Sequence, residues 1–269
     1  MDYCITGGNG FIGTNLVNFL RKKGKSLEVI DLKPYNHSIT LDVCQSFPCF
    51  QYDTIVHLAS ETNVRLSIDS PLYCIKRNLN GLLECLTHLR NRYSNKLIFT
   101  SSVSSTESRS PYLASKSACE SICKAYKDSY GLDILILRLS NVYGPHSMSK
   151  DSVIARFIKN CLDKVPLTIY GDGFQSRDFI HVDDVVDCIY REVDGFISTG
   201  RLTSIKSIAN MISEISFDLT GYRPTIIYEN RLNGEVTTPV PRTDICPSIS
   251  INEGLVTTFE WFVRNYGTK

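Results

Sequence analysis

The stretch that most constrains the fold is the N-terminal Met1-Asp2-Tyr3-Cys4-Ile5-Thr6-Gly7-Gly8-Asn9-Gly10-Phe11-Ile12-Gly13. A short apolar run, Tyr3 to Ile5, reads as a buried strand. A glycine-rich turn follows, and then apolar residues at Phe11, Ile12, Leu16, Val17, Phe19 and Leu20 recur at helical spacing. The order is strand, tight turn, helix. Such a turn presents backbone N–H groups and a helix N-terminus to a diphosphate. Gly7 allows the sharp turn, Gly10 lets the backbone approach phosphates, and Gly13 lets the helix pack close to the strand. The spacing is G-x-x-G-x-x-G, a variant of the dinucleotide fingerprint.

The next strand, Leu27 to Ile30, ends in Asp31. An acidic residue about 20 residues beyond the glycines accepts hydrogen bonds from an adenosine ribose and repels a 2′-phosphate. NAD is therefore expected over NADP, with nearby Lys33 softening the preference.

Strands and helices alternate through the first half, which implies a parallel sheet with crossover helices. Strands are expected at Thr54–Leu58, Lys96–Thr100 and Asp133–Leu139. Pro71 opens a helix to about Arg90, and Pro111 opens one to Tyr130 with Gly131 as its stop. After Asn141 the texture changes. Helices are expected at 153–164, from Asp183, at 204–219 and at 253–266, with a strand at Arg177–Val182. Two lobes result: a nucleotide lobe over residues 1–145 with part of 177–195, and a smaller lobe mainly over 146–269. A cleft between lobes is the default ligand site.

Composition narrows the function. With 29 basic and 28 acidic residues, the net charge of +1 gives no electrostatic case for nucleic acid or an anionic membrane. The apolar runs are too short to span a bilayer. No signal peptide is visible, so a cytoplasmic protein is expected. Ten cysteines without a C-x-x-C pair read as buried thiols in a reducing compartment, with no metal site.

Tyr112 and Lys116 stand four residues apart, one turn along a helix and on one face. An ammonium near a phenol is expected to lower its pKa from about 10, so that Tyr112 exchanges a proton with a sugar or alcohol hydroxyl. Ten residues before Tyr112, Ser102 follows the strand ending in Phe99. A hydroxyl there, at the C-terminal edge of a parallel sheet, suits a substrate hydroxyl.

Glycine turn, Asp31, Ser102 and Tyr112/Lys116, in that order, resemble the extended short-chain dehydrogenase/reductases of the NAD-dependent epimerase/dehydratase group. Further matching stretches are His57-Leu58-Ala59-Ser60, Asn78-Leu79-Asn80-Gly81, Arg138-Leu139-Ser140-Asn141-Val142-Tyr143-Gly144-Pro145, and Ile169 to Gly173 leading into Arg177 to Asp184. The resemblance covers residues 1 to about 190. It implies an α/β, Rossmann-type doubly wound parallel sheet with a smaller C-terminal substrate-binding lobe. It also implies a nucleotide-diphosphate sugar as substrate and a homodimer. By that resemblance Asp42 and Val43 border the adenine, and Leu58, Ala59 and Asn78 line the cofactor channel. Asn141 and Arg177 hold the substrate, with Arg231 as a further phosphate contact. A guanidinium suits a diphosphate. His57 and His181 read as packed strand residues.

Two departures stand out. Family dehydratases place an Asp-Glu pair directly after the catalytic hydroxyl residue, where this chain has Val103 and Ser104, neither able to act as acid or base. The 31–42 connection, the 102–112 loop and the C-terminal lobe are also short for the family. The expected activity is 4-epimerisation of a nucleotide-sugar through a 4-keto intermediate. The alternatives are an NAD(P)H-dependent 4-ketoreductase of a nucleotide-linked 4-keto-6-deoxy sugar and a non-catalytic nucleotide-binding protein.

Overall fold

The computed structural model describes residues 1–34, 38–107, 109–230 and 242–267. In chain order the elements begin with β1 (Tyr3–Thr6), α1 (Phe11–Lys22), β2 (Leu27–Asp31), β3 (Ile39–Thr40), β4 (Tyr52–His57), α2 (Val64–Asp69), α3 (Pro71–Arg90) and β5 (Ser94–Ser102). After a 3-10 turn at Ser105–Glu107 come α4 (Pro111–Tyr130), β6 (Asp133–Leu139), β7 (Asn141–Tyr143), α5 (Val153–Leu162), β8 (Leu167–Tyr170), β9 (Ser176–His181) and α6 (Val182–Tyr190). The chain continues through β10 (Gly195–Ile197), β11 (Leu202–Ser204), α7 (Ile205–Thr220), β12 (Ile226–Glu229) and α8 (Ile251–Asn265). The described residues form two compact units, 1–139 with 186–196 and 140–185 with 197–269.

The first unit is built on a seven-stranded sheet of order β10-β6-β5-β4-β1-β2-β3, parallel from β6 through β3. The chain runs outward from β1 through β2 to β3, then returns to the other side of β1 as β4, β5 and β6. The order therefore reverses between β1 and β4, the place where open α/β sheets bind ligands. Alternation along each strand sorts the core onto two faces. Cys4, Ile30, Ile55, Leu97 and Phe99 pack with Leu82, Leu86 and Cys119 of α3 and α4. Their strand neighbours Ile5, Val29, Val56 and Ile98 are buried too, outside that cluster. On α1, Phe19 meets Tyr190 of α6 edge to face. Buried on both faces, these strands read as apolar runs.

Helix boundaries follow their capping residues. Ser110 caps α4 by accepting from the Leu113 N–H, Pro111 takes its first position, and Gly131 closes it at φ 63°. Pro71 likewise takes the first position of α3, with no side-chain bond from Ser70 before it.

The second unit holds two small sheets. In one, β9 lies between β11, antiparallel, and β7, parallel. In the other, β8 pairs in parallel with β12. The unit begins at Ser140 because β7 pairs with β9. Its core packs Phe157 and Ile158 of α5, Ile208 and Ile212 of α7, and Leu255, Phe259 and Phe262 of α8 around Leu167 and Ile169. Ser250 and Glu253 form a capping box on α8.

No disulfide joins any of the ten cysteines, but the expected burial fails at three of them: Cys44 is half-buried, and Cys49 and Cys246 are exposed. Among the described residues no helix is long and apolar enough to cross a membrane, and no three His, Cys, Asp or Glu side chains converge as metal ligands.

Candidate active site

The glycine turn closes β1 onto α1. Gly7 has φ 70°, and a Cβ there would come within 2.7 Å of the Ala59 nitrogen at the end of β4. Gly13 has a different constraint: a Cβ would lie 2.6 Å from the Gly8 Cα, with the Gly7 carbonyl closer still. Gly10, the N-cap of α1, supplies no side-chain acceptor, and no acid occupies the first helical turn. The first N–H groups of α1 therefore keep their positive end for an anion. Phe11 is buried at the start of that helix, with Ile12 half-buried. At the end of β2, Asp31 accepts from the Asn9 N–H at 3.0 Å and the Lys33 N–H at 3.0 Å. The two bonds fix its carboxylate beside the turn and leave lone pairs for a ribose.

Around this cradle, Leu58 and Ala59 leave β4 half-buried, with the Leu58 N–H bonded to the Thr6 carbonyl at 3.1 Å. Val43 is buried, and Asp42 pairs with Arg77 at 2.6 Å. Burial works against the Asp42 carboxylate, but the Cys44 N–H and Arg77 outweigh it and hold the carboxyl below its usual range. Asn78 is a staple: its carbonyl accepts from Ser60 and the Glu61 N–H, and its amide donates to Ser115 at 2.9 Å.

The catalytic candidates sit where α4 meets the end of β5. Lys116 is 4 % exposed. Its ammonium donates to the Thr100 carbonyl at 2.9 Å and lies 4.8 Å over the Phe99 ring. Burial pushes Lys116 down to about 8. Ser102 is half-buried, and its hydroxyl accepts from the Ser104 N–H at 3.3 Å. Tyr112 departs from the sequence-based expectation. Desolvation pushes its phenol up to about 12 rather than down. The Lys116 ammonium is turned toward Thr100, and burial dominates the phenol.

Glu120, which motif reading passed over, lies one further turn along the Tyr112/Lys116 stripe. Its carboxylate accepts from the Ser101 and Ser105 hydroxyls and, bidentately, from Arg138 at 2.9 and 2.6 Å. The i, i+4, i+8 spacing of Tyr112, Lys116 and Glu120 is the signal that would have found it. His57 is a packed residue, held by the Thr6 hydroxyl at 2.7 Å, stacked on Phe99 and pushed by burial down to about 3. His181 is 2 % exposed in the second unit, 5.3 Å edge-on from Tyr143.

The second unit has a pocket of its own, lined by Asn141, Arg156, Tyr170, Arg177 and Phe179 among others. Asn141 is exposed and braced by its amide on the Asp178 carbonyl at 2.9 Å. Arg177 is half-buried and donates to the Ser176 carbonyl. Arg156, also missed by motif reading, lies 5.6 Å over the Tyr170 ring. Two guanidiniums and two aromatic rings suit an anionic ligand with a flat base. Arg231 lies outside the described residues.

Residues 3–195 match the model of the NAD dependent epimerase/dehydratase family. The chain belongs to this family. A UDP-glucuronate 4-epimerase of Thermodesulfobacterium geofontis is 29% identical over an alignment of 326 residues, covering 98% of this chain and 96% of that protein. A probable dTDP-glucose 4,6-dehydratase of Sinorhizobium fredii is 26% identical, covering 98% and 93%. The structure of a Thermotoga maritima UDP-glucose 4-epimerase with UDP-glucose superposes with a TM-score of 0.91 at 25% identity, covering 98% of this chain and 99% of that one. The Thermodesulfobacterium alignment is longer than the 269 residues of this chain, so that relative carries segments this family member lacks.

Proposed function

We propose that the protein is an NAD-dependent nucleotide-sugar 4-epimerase working through a 4-keto intermediate. The observation that carries the reading is the set Ser102, Tyr112 and Lys116 in the unit that holds the glycine cradle, followed by Val103 and Ser104 rather than an acid pair. The sugar can be oxidised and reduced at C4, but no acid stands directly after Ser102 to expel a 6-hydroxyl. The cradle fits a dinucleotide: it is too tight for a Cβ at Gly13, and its helix N-terminus carries no side-chain cap. Gly7, Gly10, Phe11, Ile12 and Gly13 would hold the diphosphate, Asp31 the adenosine ribose, Asp42 and Val43 the adenine edge, and Lys116 the second ribose. NAD bound there supplies a hydride acceptor that is regenerated within each turnover.

Tyr112 takes the proton of the sugar's 4-hydroxyl and returns it after the 4-keto sugar has turned its other face. Ser102 holds the 4-oxygen in line. Lys116 holds a positive charge one turn along the helix that carries the phenol. In the chain alone the phenol is protonated at neutral pH, so the pH at which turnover rises measures how far bound ligands pull it down. Asn141, Arg156 and Arg177 take the nucleotide diphosphate. UDP-glucose and UDP-glucuronate are the substrates to try first, because relatives named for both match nearly the whole chain.

Exposed Leu72 and Tyr73 on α3 and Tyr130 on α4, helices that pack on each other, support a homodimer, which light scattering tests. Ten cysteines without a disulfide suit the cytoplasm.

The first test denatures purified protein and identifies released nucleotide by chromatography. Near-stoichiometric NAD, with conversion of a UDP-sugar to its C4 epimer, is the expected result. An empty site that consumes NADH or NADPH with a 4-keto sugar would replace the epimerase by a ketoreductase, and no nucleotide binding at all would remove the enzyme. Tyr112→Phe should keep its NAD and lose about 10²- to 10⁴-fold in turnover. Near-normal turnover in that variant would overturn the mechanism.

A further inference from the structure

Four separate segments of the first unit meet at one carboxylate. Glu120 comes from α4. Ser101, the last but one residue of β5, and Ser105, in the following turn, donate to its Oε1, the second at 2.8 Å. Arg138 of β6 donates to its Oε2 through both Nε and Nη2. Arg138 stands opposite Ser101 in the β5–β6 register and carries the Phe196 ring 5.2 Å from its guanidinium. The two serines bracket Ser102. Side chains alternate along a strand, so Ser101 faces away from Ser102 and toward the helix. Glu120 is therefore bonded to the chain on both sides of Ser102, and it belongs to the helix that carries Tyr112 and Lys116.

We propose that Glu120 is a positioning residue that fixes the Ser102 hydroxyl against Tyr112, with Arg138 holding the carboxylate in place. The inference rests on the catalytic reading of Ser102 and Tyr112 given above. The two hydroxyls arrive on different segments, one at the end of a strand and the other at the second residue of a helix. The covalent link between them is nine residues long, and the Lys116–Thr100 bond ties α4 to β5 two residues before Ser102, which leaves freedom at Ser102 itself. Two hydroxyl–carboxylate bonds flanking Ser102 remove that freedom, because bonds to a charged acceptor are the short, strong ones. A misplacement of the order of 1 Å costs about 100-fold in rate.

A partly buried ion pair can be purely structural, so the test must separate positioning from stability. The test is a double-mutant cycle between Glu120→Gln and Ser102→Ala, with kcat, KM, bound nucleotide and melting temperature read on each protein and UDP-glucose or UDP-glucuronate as substrate. Glu120→Gln should keep its nucleotide and its sugar KM, and lose about 10- to 100-fold in kcat. In the Ser102→Ala background the same change should alter kcat by no more than about twofold, since there is no longer a hydroxyl to position. Losses that multiply in the double mutant, or an unchanged kcat in Glu120→Gln, would overturn the proposal. If Glu120→Gln does not fold, Ser101→Ala combined with Ser105→Ala replaces it, because that variant leaves the Glu120–Arg138 pair intact, and the same non-additivity is expected. A Ser102→Ala protein with full turnover would remove the catalytic reading and this proposal together. A slow Ser102→Ala beside a fast Glu120→Gln would remove this proposal alone.

Discussion

The two units build their sites from different materials. In the first, the half-buried Ser102 and Tyr112 are framed by tightly packed groups: glycines that exclude a Cβ, an ammonium 4 % exposed, and a carboxylate with four donors. In the second, it is a pocket edged by half-buried guanidiniums and an exposed asparagine. Close packing makes geometry dependable, but it couples function to folding, because a change that disturbs the site also disturbs the core. Half-exposed side chains can be altered with little cost to the fold. Substitutions in the first unit should therefore register in stability and activity together, and those in the second mainly in affinity for the sugar nucleotide.

The largest effect expected is at Gly13. Gly13→Val places a branched side chain against the Gly7 carbonyl and the Gly8 backbone. The helix must move away from the turn, so the purified variant should release no nucleotide on denaturation, show no epimerisation, and melt well below the parent. A Gly13→Val protein that still carries NAD would break the comparison at its strongest point.

Arg177→Ala probes the other side. A hydrogen bond to a charged group contributes about 1.5–3 kcal/mol, so the KM for a UDP-sugar should rise about 10- to 100-fold. The melting temperature and the bound NAD should stay close to the parent. A variant with unchanged KM and a much lower melting temperature would assign Arg177 to the fold and erase the contrast.

What the sequence disclosed follows the same division. Long elements with local signals were legible: α3 opens at Pro71, and α4 opens at Pro111 and stops at Gly131, because proline and glycine mark ends without reference to anything distant, while the end of α3, capped by Asn91, was placed only to about Arg90. Of the short strands of the second unit only β9 was legible, expected at Arg177–Val182 and found at Ser176–His181. β8 pairs with β12 across more than fifty residues, and four residues are too few to show a period. The site divides similarly. Glycine spacing and the Tyr112/Lys116 pair are visible in a window of a few residues. The direction of the Tyr112 shift was misjudged, because spacing shows a neighbouring charge but not the desolvation that outweighs it. Glu120 went unnoticed for a related reason: its partners Ser101, Ser105 and Arg138 come from three other segments, and only the folded sheet brings them together.

The smallest effect expected is also the one that reads the coupling in the first unit most directly. Burial is the leading cause that holds Lys116 at about 8, against 10.5 for an ordinary lysine. Between pH 8 and 10.5 the unfolded chain binds a proton that the native chain has released, so native stability rises with pH across that window. Below pH 8 both states carry the charge and the full cost remains. The gap corresponds to about 3 kcal/mol. The bond to Thr100 and the contact with Phe99 favour the charged form and offset part of that cost. Methionine fills similar space without a charge but leaves the Thr100 carbonyl without this donor, so the net gain should be about 1–2 kcal/mol. For protein stripped of nucleotide, Lys116→Met should melt about 2–8 °C higher than the parent at pH 7, with the difference fading toward pH 10.5, while turnover is lost. A lower melting temperature at pH 7 would mean that the buried ammonium stabilises the fold. The first unit would then hold its buried charge without the conflict between stability and activity that sets it apart from the second.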